Sequence, residues 1–282
     1  MRRLLAALAL AAAALPQAGR AVERPLWELG VGPLGLYLPD YRGSNRSQGY
    51  LYPFPFFAYR GDYFKVDREG IRGIFFQSDR VELDVSMYAT PPIRNSSQGA
   101  RAGMPDLDAT VEVGPVVDIL LARDRKIDYN YRLRLRLAAR AVFAFDISPQ
   151  HWQNQGWIFY PNLNLDVRPE FLGGRWNVGF SAGPLFGTQK YHEYFYGVPQ
   201  QFATPDRPAY TPPGGYSGAT FLASLSRHIG GDFWVGAYVR YDNLSGAVFD
   251  QSPLVKQNYA LGGGIAIAWI FAKSGTTVIT PD

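Results

Sequence analysis

The sequence predicts an all-β transmembrane protein, an antiparallel up-and-down β-barrel of about twelve strands of the outer-membrane type. Three observations carry that prediction. Between Tyr129 and Phe143 the chain alternates with a period of two. Tyr129, Tyr131, Leu133, Leu135, Leu137, Ala139, Ala141 and Phe143 fall on one face, and Arg132, Arg134, Arg136 and Arg140 on the other. The same two-faced pattern recurs along the chain, while nothing after residue 21 holds a sustained 3.6-residue period or 18 consecutive apolar residues. Tight turns also alternate with long connections, the habit of outer-membrane barrels. In hydrocarbon every backbone N–H and C=O must be paired within the protein, and a closed antiparallel sheet achieves this by leaving no edge.

The N-terminus sets the compartment. Arg2 and Arg3 precede an apolar run from Leu4 to Leu15, Pro16 ends it, and Gly19-Arg20-Ala21 offers small residues at the cleavage positions. Residues 1–21 are expected to be a secretory signal peptide, because such a run falls short of the roughly 20 residues of a membrane-spanning helix. Without Arg2, Arg3 and Arg20 the chain holds 25 basic against 24 acidic residues, which gives no basic surface for nucleic acid. There is no cysteine, so a lipid anchor, disulfides and thiolate metal sites are excluded. Eighteen tyrosines, 18 phenylalanines, 30 glycines and 21 prolines suit many short strands and turns.

Taken in order, strands are expected over residues 27–38 and 49–59, as a hairpin within 63–76, and over 80–87, 107–113, 129–143, 162–168, 176–186, 219–228, 233–242 and 259–271. Tight turns fall at 77–79, 123–126, 172–174 and 230–232. Longer connections fall at 39–48, 90–105, 146–156, 188–217 and 243–257. An even strand number places both ends of the barrel, 22–271, on the periplasmic side of the short turns, followed by a periplasmic tail, 272–282. Outward rows end in Trp27, Tyr129, Tyr131, Trp176, Trp269 and Phe271 at that side and in Phe143, Trp157 and Tyr241 at the other. These are the two aromatic girdles of a barrel seated in outer-membrane lipid and lipopolysaccharide.

No catalytic, cofactor or metal site is legible. His151, His192 and His228 lie on separate segments without ligand spacing and read as ordinary loop or strand-end residues. Tyr191-His192-Glu193 is the one acid–base neighbourhood, in a long loop where His192 and Glu193 point apart if extended. The interior is the remaining candidate. Arg132, Arg134, Arg136 and Arg140 would share it with Glu82, Asp84, Asp108, Glu112, Asp118 and Asp166. These charges either line an anion-selective constriction or pair across strands and close the lumen, and the number of acids on adjoining strands favours pairing.

Four blocks then carry a family resemblance. They are Pro39-Asp40-Tyr41-Arg42-Gly43-Ser44; Pro53-Phe54-Pro55-Phe56 with Tyr59-Arg60-Gly61; Tyr194-Phe195-Tyr196-Gly197-Val198; and Leu244-Ser245-Gly246-Ala247 with Ser252-Pro253-Leu254-Val255. In order and spacing the sequence resembles the MipA/OmpV family over nearly the whole mature chain, with Tyr196 inserted where the family usually reads Tyr-Phe-Gly-Val. The resemblance implies a non-enzymatic outer-membrane protein without cofactors. In the best-described case it is a scaffold joining a lytic transglycosylase to a penicillin-binding protein during murein growth, and other members are described as porin-like or adhesive. Scaffold and small-solute porin both remain open on the sequence.

Overall fold

A computed structural model describes residues 22–67, 70–93, 99–124, 130–145 and 152–280. The expected signal peptide, His151 and Tyr129 lie outside them. Twelve antiparallel strands close into one barrel: β2 (Trp27–Pro39), β3 (Ser47–Arg60), β4 (Phe64–Asp67), β5 (Gly70–Gln77), β6 (Val81–Thr90), β7 (Ala109–Arg123), β8 (Tyr131–Phe145), β9 (Gln153–Val167), β12 (Asn177–Gly187), β13 (Gly215–Ile229), β14 (Phe233–Asn243) and β15 (Tyr259–Lys273). Each pairs with its neighbour in sequence, and β15 returns to β2. The expected fold class and strand number are those observed.

Two further pairs sit at the short-turn end. The segment expected as a tail is tied down, since β16 (Thr277–Thr280) pairs with β1 (Val22–Pro25). Between β9 and β12 a small hairpin joins β10 (Glu170–Phe171) to β11 (Gly174–Arg175). Its turn residues, Leu172 and Gly173, both take positive φ, 47° and 72°. Such a turn matches the strand twist, and leucine adopts that conformation only under constraint. The Arg227 guanidinium supplies the constraint by donating to the Leu172 and Gly173 carbonyls from β13.

The alternation orients the wall as expected. Val31, Phe159, Leu163, Phe180, Phe221, Val239, Ile265 and Ile267 are exposed on the outer face, an apolar belt that lipid would cover. Arg134, Asp118, Asp84, Asp166 and Asn162 are buried on the inner one. Trp269, Phe271 and Tyr131 are exposed at the short-turn end of that belt, and Trp157 and Tyr241 at the other.

Three features differ from expectation. Strand β7 runs to Arg123 instead of stopping near Val113, because Val116 and Leu120 on its inner face hide the polar alternation. Strand β9 likewise begins at Gln153, since Ile158 and Tyr160 face inward beside outward Trp157 and Phe159. The long connection 188–214 contains a helix, α1 (Gln189–Tyr196), too short to show a periodicity against its loop surroundings.

Candidate functional site: the occupied lumen and its cap

The inner wall of β5–β9 carries one unbroken chain of alternating charge. Glu82 meets Arg72 at 2.9 Å, Arg72 meets Asp84 at 4.0 Å, and Asp84 meets Arg136 at 3.9 Å. Arg136 meets Asp118 at 3.4 Å, and Asp118 meets Arg134 at 3.8 Å. Asp166 takes both Arg134 and Arg132 at 3.1 Å. Sheet register creates these contacts: Arg136 lies directly opposite Asp118, and Arg132 opposite Asp166. Because the groups alternate in sign, each has a counter-charge beside it, which offsets much of the cost of removing it from water. Arg140 stands higher on the same wall and pairs with Glu112 at 3.1 Å.

Nine of the ten residues expected in the interior therefore meet there, and Asp108 does not. It has the right parity but lies one residue before β7, where the chain has already left the sheet. Its side chain is exposed at the rim, and its carbonyl accepts the Tyr194 hydroxyl at 3.2 Å. Sequence reasoning missed Arg72, whose strand is short, and a second cluster in which Asp242 takes both Arg42 at 3.0 Å and Arg240 at 2.9 Å. The Thr220 hydroxyl also donates to Asp242. Arg42 belongs to the first family-like block, yet its place in a loop gave no sign that it reaches into the barrel.

The facing wall is filled differently. Phe54 and Phe56 on β3 reach across to Trp234 on β14, with ring centroids 5.9 and 5.2 Å away. Phe56 also meets the His228 ring edge-on. Below them Glu28 is paired with Arg60 and lies 3.5 Å from His228. His228 is thus a lumen residue. Between these strands β2 and β15 present Gly30, Gly32 and Ala268, directly opposite Phe56, Phe54 and Trp234 and small enough for neighbouring backbone to come close.

The long connections close the other end. Tyr41, Met104, Leu107, Tyr196, Val198, Leu244, Ala247, Phe249 and Leu254 form one buried cluster drawn from four loops that are distant in sequence. Tyr196 stacks on Phe249 with centroids 3.7 Å apart, and its hydroxyl donates to the Arg42 carbonyl. The Tyr41 hydroxyl donates to the Leu254 carbonyl at 2.8 Å, and burial pushes that phenol up to about 12. His192 on α1 is wholly buried, contrary to the expectation of an ordinary loop residue. Its Nδ1 donates to the Pro213 carbonyl at 2.6 Å, which leaves Nε2 to accept the Ser217 hydroxyl at 2.5 Å. Burial lowers the pKa of this imidazole below its usual 6.5. Glu193 points away and is exposed, accepting from Gln189, so no acid–base pair forms. Three of the four family-like blocks meet in this cap, and the inserted Tyr196 lies at its centre.

Between cap and inner wall remains a cavity of about 460 Å³. Its roof is Tyr191, Phe195 and Tyr196, and Arg134, Arg136, Arg140 and Arg240 line its sides.

Comparison with known proteins gives one family. The model of the family described as MltA-interacting protein MipA matches residues 30–271. No curated protein matches. Among solved structures the chain is similar to OprB of Pseudomonas putida, at 14% identity, covering 71% of this chain and 47% of that one with a TM-score of 0.34. The chain thus spans about half the length of that protein. It is also similar to a bacterial polysaccharide outer membrane secretin, at 8% identity over 87% of this chain and 99% of that one, TM-score 0.35. A third similarity is to the monoaromatic hydrocarbon channel CymD, at 10% identity over 90% and 68%, TM-score 0.29.

Proposed function

The chain belongs to the MltA-interacting protein MipA family, and from that premise we propose that it is a non-enzymatic outer-membrane scaffold with an occluded lumen. It would hold a lytic transglycosylase beside a penicillin-binding protein at the periplasmic face, after residues 1–21 are removed. The observation that carries this reading is the filled interior: paired charges on one wall, aromatic rings on the other and a packed cap above leave a surface, not a pore, to do the work. The charge chain Glu82–Asp84–Asp118–Asp166 with Arg72, Arg132, Arg134 and Arg136 then serves to lock register and seal the barrel.

The docking surface would be the short-turn end. There β1–β16 and the β10–β11 hairpin present Leu172, Phe171 and Ile279 exposed, with Leu172 at 82% and Ile279 at 63%. Apolar residues at that exposure, outside the lipid belt, are expected to contact protein. Pull-down of a purified lytic transglycosylase by the refolded chain tests this. Leu172→Asp with Ile279→Asp should abolish capture without altering barrel assembly, and equal capture by the variant would sink the docking surface. A small-solute porin is the second reading, favoured by the interior cavity.

A further inference from the structure

The barrel closes unevenly. Strand β3 has fourteen residues, but only Tyr59 and Arg60 meet β4. Strand β4 has four residues and β5 eight, and β5 joins β6 no further along than Met87. The β4–β5 hairpin therefore walls only the short-turn half. Beyond it, β3 from Gly49 to Ala58 faces the end of β6, Tyr88 to Thr90, with no strand between them among the described residues.

The sequence of β3 fits an edge that stays open. Pro53 lies opposite Pro33, and Pro55 opposite Val31. Two prolines facing each other have no N–H to exchange, so theirs is a non-hydrogen-bonded pair. The two-residue period then turns the backbone of Gly49, Leu51, Pro53, Pro55 and Phe57 toward the gap. Two of those five positions lack a donor, which disfavours addition of a strand from a second copy.

The gap reaches the interior. Tyr50, Tyr88 and Thr90 at its margins line the cavity, beyond the last β5–β6 pair at Met87. Tyr52 and Tyr88 lie on the inner face by parity, yet are 41% and 46% exposed, and Leu51 between the inner tyrosines is 78% exposed to the outside. The cavity they open onto is amphipathic. Leu36 and Leu38 on β2 and Leu222 on β13 line it, and Arg240, directly opposite Leu222, shares the single carboxylate of Asp242 with Arg42, a cluster with one positive charge in excess. The cap closes the roof, and the Phe56–Trp234 cluster and the charge chain close the floor.

We propose that the gap between β3 and β6 is a lateral portal, through which a single-chain amphiphile with an anionic head, of the fatty-acid class, enters the cavity from the bilayer. The head lies against Arg240 and Arg42, and the chain leaves between β3 and β6. This binding does not depend on the scaffold reading, because it needs no protein partner. It is tested with the full chain in phosphatidylethanolamine–phosphatidylglycerol vesicles, using a sixteen-carbon fatty acid that carries a mid-chain diazirine, with adducts mapped by mass spectrometry. Adducts are expected on Tyr50, Tyr52 or Tyr88 as well as on the outer belt. Arg240→Gln should lower the inner adducts about tenfold, the loss of one charge-assisted hydrogen bond, and Arg240→Lys should retain them. Thr90→Trp, which narrows the portal at its β6 margin, opposite Thr110 and beyond the last β5–β6 pair, should lower them too and serves if the glutamine variant fails to assemble. A labelled belt with clean inner tyrosines would overturn the portal. Equal inner labelling by the corresponding neutral alcohol, or by Arg240→Gln, would overturn the anionic head.

Discussion

The two inner walls of this barrel solve one problem by opposite chemistry. The wall of β5–β9 fills its half of the lumen with long charged side chains that alternate in sign, whereas β2, β3, β14 and β15 set Phe54, Phe56 and Trp234 against glycine and alanine. Each charged residue on the first wall depends on its neighbours, since removing one leaves another buried without its counter-charge. The second wall depends on shape, since a ring fits only where the opposite strand is small. A lumen filled in both ways has strict register on one side and strict volume on the other.

The largest effect is expected on the charged wall. Arg134→Leu together with Arg136→Leu removes both partners of Asp118, at a cost of at least about 3–5 kcal/mol in unfolding from vesicles. Undiminished stability would mean that the chain of pairs is not structural. Next is the contrast across one strand. Leu135→Arg places a charge on the lipid face, at about 2–4 kcal/mol near the midplane, whereas Arg136→Leu alone acts on the interior and leaves Asp118 with Arg134. Equal assembly defects at the two positions would break the assignment of faces. On the shape-dependent wall, Gly32→Val drives a Cβ against the Ile267 carbonyl oxygen, and about 1–3 kcal/mol should be lost by the same measurement.

The smallest effect lies in the cap. The imidazole of His192 titrates below its usual 6.5 because it is buried, so an unfolded cap binds the proton more readily than the folded one. The stabilisation is complete above pH 6.5 and declines as pH falls below it, by up to about 1.4 kcal/mol for each unit of depression. Protection factors of the α1 amides, taken relative to the intrinsic exchange rate at each pH, should fall between pH 7.5 and 5.5, and His192→Gln should flatten that dependence. An unchanged slope in the variant would place the pH response elsewhere.

What the sequence revealed follows the same division. The charged wall was legible because arginine and aspartate at every second position cannot be mistaken for a core, and that pattern located nine of the ten expected interior residues. Asp108 shows its limit, because parity says which way a side chain points only while the chain remains in the sheet. The ends of β7 and β9 were illegible because apolar residues, Val116 and Leu120 on β7 and Ile158 and Tyr160 on β9, interrupt the polar inner face there. The cap was illegible for a different reason: Tyr41, Tyr196, Phe249 and Leu254 come from separate loops, and no local period reports such convergence. Pro53 and Pro55 were visible as part of a family-like block, but their meaning as an open edge required the partner strand and its Pro33.

The central claim is that the lumen is occluded. Conductance of the purified, refolded chain in planar bilayers tests it most directly. The filled walls and the packed cap predict a silent membrane at neutral pH, interrupted at most by brief openings. A steady current with a defined unit step and a preference for anions would contradict the occluded barrel, and would return the arginine row to the role of a pore lining.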